Sequence, residues 1–131
     1  MFSDVHHIGY HTDDIEKSIA FLEATFGGEV AGRAMGADGS SKMAFVQCGA
    51  VEIELIEPGD KSRLAGRTGL VLDHVGYQVA DVDQAVEELR SKSVRFATSA
   101  PYTNAMGARL IYLDAETTLG TRMHITERKP R

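Results

Sequence analysis

Four side chains of the kinds that ligate first-row transition metals stand out by their spacing: His7, Glu54, His74 and His124. His7 and His74 open the same phrase, His7-Ile8-Gly9-Tyr10 and His74-Val75-Gly76-Tyr77, 67 residues apart (74 − 7 = 67). Holding that offset aligns Asp14 with Asp81, Ile15 with Val82, Ile19 with Val86 and Leu22 with Leu89. The chain is therefore an internal duplication, and a repeated strand-then-helix unit delivers two equivalent imidazoles. Counting back from the ends of the two halves, Glu52-Ile53-Glu54-Leu55-Ile56-Glu57 falls on Arg122-Met123-His124-Ile125-Thr126-Glu127 at an offset of 70 (124 − 54 = 70), which implies an insertion of three residues in the second half. Glu54 and His124 become equivalents. Three imidazoles and one carboxylate suit Zn, Ni, Co, Mn or Fe(II) better than Mg or Ca. Expansion to five or six coordination would leave positions for water or substrate oxygens.

Each of these residues also has an ordinary reading. A lone histidine at a strand end is commonly a polar surface residue or a hydrogen-bonded core residue, and it is the duplication that separates His7 and His74 from that case. Glu54 alone reads as a solvated charge beside Glu52 and Glu57, so its claim rests on its register with His124. His6 points to the sheet face opposite His7 and reads as structural or exposed. Cys48, the only cysteine, excludes an intrachain disulfide and a thiolate-rich zinc site, and reads as a small core residue. Gly36 and Gly39 belong to a flexible loop, and neither GxGxxG nor a P-loop occurs.

The elements that must position the four side chains follow from periodicity. Residues 4–10 read as a strand. Asp14 caps a helix with Ile15, Ile19, Leu22 and Phe26 inward, and Gly27-Gly28 stops it. A Gly- and Ser-rich loop over 34–41 leads to a strand over 42–48, a turn at Gly49-Ala50 and a strand over 51–56 ended by Pro58, so the first half reads βα followed by two or three strands. The second half repeats the order: a strand over 72–79, a helix capped by Asp81 with Val82, Ala85, Val86 and Leu89 inward, then strands over 94–97, 108–113 and 122–126. Period-two alternation puts Glu52, Glu54 and Ile56 on one face against Val51, Ile53 and Leu55, and Arg122, His124 and Thr126 against Met123 and Ile125. The organisation expected is one domain of two modules, about 1–58 and 72–131, joined by a polar linker over 59–71.

With 131 residues, 43% hydrophobic and 25% charged, the composition is that of a globular chain large enough for one shared core. A net charge of −5 disfavours a nucleic-acid partner, since only the short tail Arg128-Lys129-Pro130-Arg131 is basic. No signal-like leader opens the chain and no apolar run approaches the ~20 residues of a membrane span, so a cytoplasmic protein with no membrane partner is expected.

At these residues the sequence resembles the vicinal oxygen chelate superfamily, the glyoxalase, bleomycin-resistance and extradiol dioxygenase proteins. The resemblance runs over nearly the whole chain. It is carried by Val5-His6-His7-Ile8-Gly9-Tyr10, by the segment from Gly49 to Pro58, by Leu72-Asp73-His74-Val75-Gly76-Tyr77 and by Thr118 to Ile125, which are similar to methylmalonyl-CoA epimerases and more loosely to glyoxalase I. It implies an α+β fold of tandem βαβββ modules forming a curved mixed β-sheet cleft with flanking helices, ligands at His7, Glu54, His74 and His124, and a homodimer. It also implies a divalent metal that chelates vicinal oxygens of a small-molecule substrate and stabilises an enolate, as in an epimerase, isomerase or glyoxalase-type lyase acting on a small carbonyl or acyl thioester. Two departures are visible. The family's fourth ligand is usually Glu where this chain has His124, and the position of a second proton-transfer carboxylate is held by Gly39 or Ser40. Glu54 and His124 are then the candidates for proton transfer. Two other readings stand beside this one: an Fe(II) dioxygenase using His7, His74 and Glu54 as a facial triad, and a metal-free protein that sequesters a small molecule.

Overall fold

The computed structural model describes residues 1–104 and 106–127; the basic tail at 128–131 lies outside the described residues. Two compact units divide the chain, His7–Asp73 and Met1–His6 with His74–Arg131. The class is α+β, and each unit is built on a strand, a helix and three further strands.

In the first unit, β1 (Asp4–Thr12) leads into α1 (Ile15–Phe26), followed by β2 (Glu29–Met35), β3 (Lys42–Cys48) and β4 (Val51–Glu57). The strand order is β2-β3-β4-β1, antiparallel except for the parallel β1–β4 pair. One face of this mixed sheet is covered by α1, whose buried Ile15, Ile19 and Leu22 pack on Ala44, Val46 and Leu55. Phe26, expected inward, is 66% exposed and lies edge-on to Phe21. Immediately after it Gly27 adopts φ 65° and closes the helix, while Ser18 occupies a buried position one turn after the cap. Gly28 is required for a different reason: a Cβ there would stand 2.7 Å from Val46 Cγ1.

The second unit contains β5 (Leu70–Val79), α2 (Val82–Ser91), β6 (Tyr102–Thr103), β7 (Arg109–Tyr112) and β8 (Met123–Glu127), in the order β5-β8-β7-β6 with β5 and β8 parallel. Val82, Ala85, Val86 and Leu89 of α2 pack on Val79, Ile111, Leu113 and Ile125. The strand expected over 94–97 is not formed. Val94 and Phe96 do pack against this core, but the segment makes a single bridge, Phe96 to Leu113, and the pairing strand lies later, at 102–103. Ser93 at φ 66° turns the chain just before the segment. Pro101, with no N–H to give, precedes the pairing strand.

The duplication extends to how the helices are anchored. Asp14 caps α1 through the Lys17 N–H and Asp81 caps α2 through the Gln84 N–H. The first helical amide of each is taken by a glutamate from the unit's last strand: Ile15 N–H donates to Glu57 at 2.9 Å and Val82 N–H to Glu127 at 2.8 Å. Burial pushes the Glu57 carboxyl up, but the Ile15 amide and the nearby Lys61 and Lys42 ammonium groups outweigh it, and the net pKa is lowered from 4.5. Because the folded-state value is depressed, this stabilisation is complete above the unfolded value and is lost as the pH falls through the folded one. Glu57→Gln is expected to cost about 1 kcal/mol at neutral pH. The gap between variant and wild type in urea unfolding should close as the solution is acidified below pH 4.5.

Candidate functional site

In the first unit, parallel pairing sets Gly9 beside Glu54 and His7 beside Glu52. Tyr10, Ile53 and Leu55 turn toward α1, so His7, Glu52 and Glu54 share the opposite face. His7 Nε2 lies 3.6 Å from Glu54 Oε2, with the side chains 6% and 14% exposed. That is too long for a hydrogen bond but within the span of two ligand bonds of ~2.0–2.2 Å to one cation. On the same face Phe45 of β3 is the cross-strand neighbour of Glu54, with Met43 and Gln47 at alternate positions.

In the second unit, Gly76 lies beside His124. Gly9 is thus to Glu54 as Gly76 is to His124, and the equivalence expected from the two offsets is present in the strand registers. His74 and His124 are 2% and 1% exposed, with ring centroids 5.1 Å apart and ligand nitrogens within 4.8 Å. Tyr112, at the position equivalent to Phe45 (112 − 45 = 67), is the cross-strand partner of His124. Its ring is 4.7 Å from His124 and 5.6 Å edge-on from His74, and the Arg122 guanidinium sits 5.0 Å over it. Thr126 Oγ1 lies 2.8 Å from His124 Nδ1.

Each unit therefore brings together its own pair of expected ligands, His7 with Glu54 and His74 with His124. Buried imidazoles and a carboxylate make a donor set suited to a borderline divalent cation, and the residues fit such an ion chemically. Arg109 is on the helix side of β7 and binds Asp83 at 2.8 Å. Arg33 pairs with Glu16, and Lys42 lies 3.7 Å from Glu57. In the loop where a second base is missing, the carboxylate present is Asp38. It accepts from the Ser41 hydroxyl and the Ser40 and Ser41 amides, which lower its pKa to about 2 and make it a loop anchor rather than a base at neutral pH.

Glu52 was read only as a neighbouring charge. It is half-buried, its carboxyl lies within 4.8 Å of a His7 ring nitrogen, and burial raises its pKa. Strand alternation with Glu54 was the available signal. A carboxyl whose folded pKa exceeds its unfolded one favours folding only while protonated, and that contribution is lost as the pH rises through the folded value. Glu52→Gln is therefore expected to raise the melting temperature of chelator-treated protein at pH 7 and to have little effect below pH 4.5, measured by thermal unfolding at both values.

Comparison with known proteins gives the class. The chain belongs to the glyoxalase/bleomycin resistance protein/dioxygenase superfamily, whose model matches residues 6–112. Among curated relatives it is 28% identical over 115 residues to the mitochondrial methylmalonyl-CoA epimerase of Bos taurus, covering 83% of this chain and 65% of that protein. The chain thus spans just under two thirds of that relative. Among solved structures it is similar to methylmalonyl-CoA epimerase from Mycobacterium tuberculosis, with a TM-score of 0.86 at 20% identity over 98% of this chain and 90% of the other. It is also similar to a methylmalonyl-CoA epimerase in complex with methylmalonyl-CoA and NH4+, with a TM-score of 0.83 at 25% identity over 97% of this chain and 95% of that one. No helix among the described residues is long and apolar enough to cross a membrane.

Proposed function

We propose that the chain is a divalent-metal-dependent epimerase of a 2-carboxyacyl thioester such as methylmalonyl-CoA, with His7, Glu54, His74 and His124 as the metal-ligating residues. The observation that carries this reading is the matched register, Gly9 to Glu54 and Gly76 to His124, which gives each unit one buried imidazole and one further donor in equivalent places. The similarity to methylmalonyl-CoA epimerases supports the substrate class.

When bound, the cation supplies Lewis-acid stabilisation of the negative charge that builds on the thioester oxygen as the neighbouring C–H proton leaves. The chain's own residues do the rest. Arg122, over the Tyr112 ring, is the cation suited to the substrate's anionic groups. One proton leaves the carbon on one face and one is delivered on the other, so composition and oxidation state are unchanged. Glu54 and His124 are the groups proposed to move it. A carboxylate has two oxygens, so Glu54 can ligate through one and accept a proton through the other.

The test is deuterium wash-in. Metal-loaded protein in D2O is expected to exchange the C2 hydrogen of methylmalonyl-CoA, and chelator-stripped protein to lose that exchange and regain it with added metal. Exchange unaffected by chelation would remove the metal from the reaction. Oxygen uptake with a catechol, without exchange on the thioester, would move the assignment to dioxygenase chemistry.

A further inference from the structure

The register that makes His124 equivalent to Glu54 also gives it a neighbour that Glu54 lacks. Thr126, two residues on, faces the same side of β8, is 0% exposed, and holds its hydroxyl 2.8 Å from His124 Nδ1. The equivalent residue in the first unit is Ile56 (126 − 56 = 70). There the donor is a carboxylate, which has no tautomer to set. The hydroxyl occurs in the half where the carboxylate has been replaced by an imidazole.

We infer that Thr126 is a positioning residue: it accepts a hydrogen bond from His124 Nδ1–H and thereby fixes the tautomer whose lone pair is on Nε2, the atom offered to the metal. The inference rests on the metal reading given above. A neutral imidazole has one N–H and one lone pair. If the hydroxyl instead donated to Nδ1, the ring hydrogen would sit on Nε2 and ligation there would be lost. Hydrogen-bond partners of this sort commonly orient metal-bound histidines. The β-branch of threonine restricts χ1 and holds the hydroxyl in place, and its burial keeps water from substituting for it.

The experiment uses the full chain, stripped by chelation and titrated with Co(II) alone, with parallel long-range nitrogen–proton correlation spectra of the metal-free imidazoles. His124 is expected to carry its hydrogen on Nδ1 in wild type and Thr126→Ser, and to gain the Nε2–H form in Thr126→Val. Co(II) affinity should fall by about 10–100-fold in Thr126→Val, with a changed visible spectrum, and return toward wild type in Thr126→Ser. An unchanged Thr126→Val affinity beside a weakened His124→Ala overturns the inference and leaves the metal reading standing. An unchanged His124→Ala affinity overturns the metal role of His124 and the inference with it. A wild-type spectrum with the hydrogen on Nε2 overturns the inference whatever the variants do.

Discussion

His74→Ala is expected to abolish the proposed epimerisation and to weaken the proposed divalent-metal binding by more than about 100-fold, the upper end of what loss of an outer hydrogen-bonding partner costs. His74 is 2% exposed and lies with His124 on the face of its sheet opposite α2, so removing it deletes a candidate donor at a place where water has poor access as a replacement. The same substitution removes a ring packed against Tyr112, and some loss of stability should accompany it. Two measurements separate the causes: metal content after gel filtration, and the melting temperature of the chelator-treated variant against chelator-treated wild type. A variant that stays folded and still retains stoichiometric metal would overturn the assignment of His74 as a ligand. His7→Ala should behave alike, since the repeat makes the two positions equivalent.

Ile125→Ala should produce the largest change in stability. Ile125 is 0% exposed, sits between His124 and Thr126, and points the other way, into the cluster that α2 forms with β7 and β8. Truncating a fully buried isoleucine removes transfer free energy and leaves a cavity, together worth about 2–5 kcal/mol, whereas Ile125→Val should cost about 0.5–1.5 kcal/mol. Urea unfolding checks this through the midpoint at constant m-value. Because Ile125 and His124 occupy opposite faces, Co(II) affinity of the folded Ile125→Ala protein should change far less than that of His124→Ala. Equal losses in the two variants would show that the core side chain and the metal donor are not energetically separate.

Much of this architecture could be read from the chain because it is written twice. Both helices carry an Asp cap and an apolar stripe at helical spacing, and both strands bearing the repeated histidine follow the alternation that divides core from site. The less legible elements were those with little burial. The edge strand β2 is mostly exposed, so no alternating pattern marks it, and β6 is two residues long. Val94 and Phe96 mimicked a strand because they bury side chains against α2 without needing a ladder.

By itself the sequence determined the duplication, the four candidate donors and the break in symmetry between Glu54 and His124, because residue identity and offset are enough for each. Tertiary structure alone decided how each candidate is held. Pairing register set Gly9 beside Glu54 and Gly76 beside His124. Packing then placed Thr126 against Nδ1, Tyr112 against both imidazoles and Glu52 within reach of His7. The reason is physical: which side chains meet across a sheet depends on strand register, and the burial that raises the Glu52 pKa exists only once the chain is folded.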